Sequence, residues 1–211
     1  MPVKPPVMPR TLNPQDIGEI AAHAQEVIED AAFVGGALED IAADTLDFSG
    51  CRFTGVRFCE CDVDRIYFTD CLFEKCDLSG FRLREGMLRR VAFQSCRAAG
   101  TRFDRMNLRD VTFDECMLDY AVFAECRLQD VRVAHSRMKR ILLHSCTQKG
   151  LVLEDCDMEE AEIIATRLNG VDLSTCGLDG LHSSIDLFRG AIINLQQSPQ
   201  LLGLCEIAVK L

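Results

Sequence analysis

The side chains best suited to chemistry in this 211-residue chain are its twelve cysteines and four histidines. Ten of the cysteines are spaced by multiples of five: Cys51, Cys61, Cys71, Cys76, Cys96, Cys116, Cys126, Cys146, Cys156 and Cys176. Only Cys59 and Cys205 fall outside that spacing. Three chemistries suit such a row: disulfides, a soft metal, or packing as small buried apolar groups. No C-x₂-C pair is present, as most structural metal sites require. The histidines, His23, His135, His144 and His182, have no ligand spacing. His182 stands next to Ser183, but a catalytic triad is a matter of geometry, not of adjacency. There is no glycine-rich phosphate loop. The residues therefore suggest no enzyme, no cofactor and no metal, and packing is the reading favoured for the thiols.

The elements that must position these cysteines follow from the same period. From Leu46 to Gly180 the chain divides into 27 blocks of five, LDFSG, CRFTG, VRFCE and onward to CGLDG, without insertion. The middle residue is Phe, Leu, Ile, Val or Met in 25 of them, Ala98 and Gln148 being the exceptions. The chain is 27% charged, yet the 54 first and middle positions hold no charge, and the other positions hold all 42 of the stretch. A period of five suits neither a helix nor a strand. It suits a solenoid whose chain turns inward at each block.

This pattern resembles the pentapeptide-repeat family, whose block is A-(D/N)-L-x-x. Cys51, Cys61 and Cys71 stand where the family favours Ala, and Arg52, Arg57 and Arg82 where it favours Asp or Asn. The resemblance implies an all-β fold, a right-handed quadrilateral parallel β-helix with four blocks per coil. At about 4.8 Å per coil the repeats would make a rod of about 32 Å. Residues twenty apart should then stack. Phe53, Phe73, Phe93 and Phe113 form one core ladder, Phe48 and Phe68 begin a second, and Phe103 and Phe123 lie in a third. Cys76, Cys96, Cys116, Ser136, Cys156 and Cys176 form a column, which Ser136 interrupts. Gln148 falls in the Phe48 column and needs a partner for its amide.

Outside the repeats, residues 1–12 read as a flexible Pro-rich N-terminus. Asn13-Pro14 reads as a helix start, and Ile17, Ile20, Ala21, Ala24, Val27, Ile28 and Ala31 keep helical spacing. This predicts an N-terminal capping helix over 13–30. Residues 31–45 continue as degenerate first repeats, with Phe33, Leu38 and Ala43 at middle positions. Residues 181–211 read as a last irregular coil and a short C-terminal cap helix entered at Ser198-Pro199. No apolar run approaches a membrane span, and the proline-rich start lacks a signal-peptide core. A cytoplasmic location is the expectation.

The formal net charge is −10. Within the repeats it is banded: +6 over 81–109, −5 over 110–126, +5 over 127–149 and −7 over 150–180. The acidic band Glu154, Asp155, Asp157, Glu159, Glu160 and Glu162 is a candidate interaction surface. So is the basic belt of Arg82, Arg84, Arg89, Arg90, Arg97, Arg102, Arg105 and Arg109. Resemblance implies a non-enzymatic protein-interaction scaffold. It also offers an alternative, a DNA mimic acting on DNA gyrase or topoisomerase IV, as some members do. A uniformly acidic rod would suit that role, and the alternating bands do not. Direct nucleic-acid binding through the arginine belt lacks interleaved exposed aromatics. Some members dimerise through the C-terminal end, so a homodimer there belongs to the same expectation.

Overall fold

The computed structural model describes residues 2–23, 27–39, 41–59 and 61–206. Its strands pair in parallel and wind a four-sided solenoid of about eight turns. The register is twenty residues: Met87 pairs with Asn107, Asn107 with Arg127 and Arg127 with Thr147. We number the faces in chain order by their middle residues. Face one holds Phe48 and Phe68, face two Phe53 and Phe73, face three Phe58 and Leu78, and face four Val63 and Leu83.

Faces one and two share one sheet. Strands such as Met87–Gln94, Asn107–Asp114 and Arg127–Ala134 run through the corner between them. From Leu83 onward face four is a six-stranded sheet that includes Arg102–Asp104, Val122–Ala124 and Leu142–His144, while Val63 pairs with Ala43 in the first sheet. Face three begins with Ala37–Leu38 on Arg57–Phe58 and continues as single bridges from Arg57 through Arg97 and Arg137 to Gly177. The corners use the left-handed region at the fifth residue of the block, for example φ 54° at Lys75, 52° at Arg90 and 59° at Tyr120. That conformation costs a residue with a Cβ about 1–2 kcal/mol. The corner amide recovers part of this by bonding to the next coil, as Lys75 N–H does to Gln94 O (2.9 Å).

The core is the column of middle and first residues. Phe53, Phe73, Phe93 and Phe113 stack at 4.6, 4.6 and 4.7 Å between ring centroids, and Phe33 adds one more ring at 5.1 Å. Phe48 stacks on Phe68 at 5.1 Å and Phe103 on Phe123 at 4.4 Å. Beyond Phe113 the ladder narrows to Val133. There a small apolar cavity of about 20 Å³ opens beside Phe113, Phe123, Leu128 and Val133.

Two segments at the N-terminal end differ from expectation. The capping helix over 13–30 is not an α-helix. Asn13–Pro14 is a strand on Ala31–Ala32, Ile17–His23 is a 3₁₀ helix, and Val27–Glu29 is a strand on Asp47–Ser49. Ala24 and Glu26 lie outside the described residues. Ile17 and Ile20 are three apart, which suits the 3₁₀ period as well as the α, and both are buried against the first coil. Pairing as strands also satisfies the coil's open edge: Asn13 N–H donates to Asp30 O (2.7 Å) and Gln15 N–H to Ala32 O (3.0 Å). The repeat pattern thus reaches back to Ile28, which pairs with Phe48.

The N-terminal segment is not free either. It lies along the corner between faces one and two. Lys4 N–H donates to Asp110 Oδ1 (3.0 Å) and Val7 N–H to Asp70 Oδ1 (2.8 Å). Pro9 packs over Gly50, where a Cβ would come within 2.6 Å of Asp30 Oδ1 and 3.4 Å of Pro9. Three prolines among residues 5–9 restrict the unbound chain, so docking loses little entropy.

At the other end, the short helix Ser198–Gly203 follows a 3₁₀ turn, Leu195–Gln197. Asn194 and Gln197 form a reciprocal capping box on that turn. The buried Gln197 amide then donates to the carbonyls of Leu173 (2.8 Å) and Cys176 (2.6 Å) and closes the last coil. Residues 207–211 lie outside the described residues.

Candidate protein-binding surface

Every outward position has neighbours twenty residues before and after it, and these decide the charge of each face. Many charged pairs have opposite sign, although Arg82 lies beside Arg102 and Arg89 beside Arg109. Arg90 Nε donates to Asp70 Oδ1 (2.6 Å), Arg105 to Glu85 (2.6 Å), and Arg137 pairs with Asp119 (2.5 Å). The candidate acidic band is paired in the same way with the basic coil beneath it. Glu154 takes Arg132 (2.6 Å), Asp157 takes Lys139 (3.3 Å), Glu159 takes Lys139, and Glu160 takes Arg140. Asp155 lies 3.8 Å from His135. Glu162 has no ion pair among the described residues. Exposed pairs of this kind contribute about 0–1 kcal/mol each. Their larger effect is to cancel the field that six carboxylates would project.

The basic belt does not gather into one patch. Arg82, Arg84, Arg102 and Arg105 lie on face four, Arg89, Arg90 and Arg109 on face one, and Arg97 on face three. Arg90, Arg102, Arg105 and Arg109 each meet a carboxylate. Burial opposes ionisation of Asp70, but Arg90 and the Val7 amide outweigh it and hold the carboxyl below its ordinary value.

One constellation was not visible in the spacing of the histidines. His135 Nδ1 bonds to Asp114 Oδ1 (2.9 Å), and ligand atoms of His135, Glu154 and Asp155 lie within 4.8 Å of one another. The hydrogen bond to Asp114 raises the imidazole pKa. Arg132 already engages Glu154. The signal was the near-twenty offset between 114, 135 and 155.

The family models decide the identity of the solenoid. A model described as a pentapeptide repeat region matches residues 66–143 and 87–163, and a model of eight pentapeptide repeats matches 47–84. The chain belongs to the pentapeptide-repeat family. Solved structures with similar pentapeptide-repeat architecture include a trypsin-treated form of QnrB1, a plasmid-mediated fluoroquinolone resistance protein. It is 20% identical, covers 88% of this chain and 90% of its own, and has a TM-score of 0.43. HetL, involved in heterocyst differentiation regulation in the cyanobacterium Nostoc sp. strain PCC 7120, is 13% identical. It covers 84% of this chain and 89% of its own, with a TM-score of 0.36. At these identities and TM-scores the likeness says nothing of an activity. No curated protein matches the chain.

The pentapeptide-repeat register also explains the cysteines. All twelve are free thiols. Eight of the ten at first positions place S–H against two carbonyls, one two residues earlier and one 23 earlier. Cys76 does so with Glu74 O (3.6 Å) and Phe53 O (3.3 Å), and Cys96 with Gln94 O (3.4 Å) and Phe73 O (3.5 Å). Ser136 does not break this logic: its hydroxyl donates to Ala134 O (2.6 Å) and accepts from Cys116 N–H (3.0 Å). Burial pushes the Cys71 thiol well up. Cys61 is an exception among the inward ten, being half-buried, and Cys205 is more exposed than Cys59. Gln148 is also half-buried rather than in the core. Its Nε2 reaches the carbonyls of Arg167 (3.3 Å) and Asn169 (3.0 Å).

Proposed function

We propose that this pentapeptide-repeat rod is a non-enzymatic scaffold that binds another protein, and that it does not act by imitating DNA. The observation that carries this reading is the cross-coil pairing of charge. A DNA mimic must present rows of unpaired carboxylates to a basic groove. Here Glu154, Asp157, Glu159 and Glu160 are bound to Arg132, Lys139 and Arg140 of the preceding coil. Arginines and carboxylates therefore alternate along the rod, a surface suited to a partner of mixed charge. No described helix is long and apolar enough to cross a membrane.

A DNA gyrase supercoiling assay, with and without a fluoroquinolone, tests the proposal. The expected result is no inhibition and no relief of the drug at micromolar protein. A dose-dependent effect on supercoiling would overturn it if that effect is lost when Glu154, Asp157, Glu159 and Glu160 are changed to Gln or Asn. Affinity capture from the native lysate, read by mass spectrometry, then names the partner.

A further inference from the structure

The sheet has a gap. In the corner column between faces one and two, Gly50 N–H donates to Thr69 O (2.9 Å) and Gly170 N–H to Gly190 O (2.9 Å). Gly150 N–H makes no such bond, and neither does Gln148 N–H, among the described residues. The strand Thr147–Lys149 pairs with the coil before it and not with 167–169. At the far end of the gap Asp155 N–H turns to the Thr175 hydroxyl (2.9 Å), whereas His135 N–H one coil earlier reaches the main-chain carbonyl of Glu154 (2.9 Å).

Gln148 is the cause. It stands where the column otherwise has Phe68, Leu88, Leu108, Leu128 and Leu168. Its amide leaves the core and occupies the Arg167 and Asn169 carbonyls. By the register, these are the two acceptors that Gln148 N–H and Gly150 N–H would take. The side chain thus caps acceptors and releases donors. The opening is a depression of about 530 Å³ running from Thr147–Gly150 to Arg167 and Asn169. It adjoins a second of about 380 Å³ that adds Arg189 and Asp186. Lys149, Arg167 and Arg189 edge the pair, and none of them is in an ion pair among the described residues. The coil below differs, with its Arg132, Arg137, Lys139 and Arg140 all paired. Asp186 is the carboxylate in the lining, and Asp130 lies behind Gly150.

Released backbone N–H groups beside unpaired cations bind anions. We propose that this gap binds a phosphate-bearing small molecule, its phosphate held by the Gln148 and Gly150 amides between Lys149 and Arg167. The space exceeds one phosphate, and Arg189 stands ready for a second anionic group.

The test is a titration of isotope-labelled full-length protein with inorganic phosphate and with pyrophosphate at fixed ionic strength, followed by amide NMR shifts. The Gln148 and Gly150 amides should shift and saturate. Tighter binding of pyrophosphate assigns a two-anion ligand, and equal binding assigns a single phosphate group. The K149E/R167E variant should bind at least about tenfold more weakly. Q148L, which refills the column and frees the two carbonyls for the main chain, should lose binding while circular dichroism stays unchanged. The proposal fails if the two amides do not saturate. It also fails if the charge-reversed variant binds equally well, or if the amides of Arg89 and Arg97 shift as much as those of the gap.

Discussion

Phe93 tests the account of the core most directly. Its ring is buried and stacks on Phe73 at 4.6 Å and on Phe113 at 4.7 Å. Phe93→Ala removes the ring and leaves a cavity in the middle of the rod, which should cost about 3–5 kcal/mol. Phe93→Leu separates the contributions, because it keeps most of the apolar volume and abolishes both stacks. At about 0.5–1.5 kcal/mol per stacked pair, the loss should be about 1–3 kcal/mol. Phe33 at the end of the same ladder also makes two ring contacts, a stack at 5.1 Å on Phe53 and an edge contact at 6.2 Å with Phe48, so Phe33→Leu should lose a similar amount, about 1–3 kcal/mol. Urea denaturation followed by circular dichroism measures both. Native-state hydrogen exchange shows whether the loss is confined to neighbouring coils, as nearest-neighbour coupling requires. A cost under about 0.5 kcal/mol at either position would refute the ring-contact argument.

Three further outcomes are expected. Asp114 raises the pKa of His135 above 6.5. The pair therefore contributes in full below the unfolded value and is lost as pH rises through the raised folded one; proton NMR should show a high midpoint that Asp114→Asn lowers. A thiol reagent on native protein should label Cys205 first and Cys59 next, and rapid labelling of the buried thiols would contradict the packing account. Val133→Leu should extend into the cavity beside Phe113 and raise stability by about 0.8 kcal/mol in urea titration, the value of one buried CH₂; a loss would mean the site is already full.

The register, the Phe ladders and the inward cysteines were legible because each depends on side chains repeating at one period. Charge cancellation was legible in principle: Asp70 and Arg90, Glu85 and Arg105, and Arg140 and Glu160 are each twenty apart. Bands summed along the chain hide it, since contact runs across coils. The N-terminal segment was misread because Ile17 and Ile20 fit two helical periods, and because nothing in residues 2–9 signals that Asp70 and Asp110 lie beside them. Gln148 stood out as an exception, but its effect falls on carbonyls of the following coil, where no pattern reports it.

The twenty-residue register also governs how such a gene can change length. Losing one codon would carry charged residues into the core of every later coil. Losing five between Arg140 and Glu159 would keep the core but turn the later residues by one face against the earlier coils, so that Lys139 and Arg140 would no longer sit below Glu159 and Glu160. Only a change of twenty conserves both core and lateral partners. Slippage is tolerated at an end, where fewer coils depend on it: Asn13 pairs with Ala31, two short of the period. Rods of this kind should therefore grow and shrink by whole coils, with irregular offsets confined to their tips.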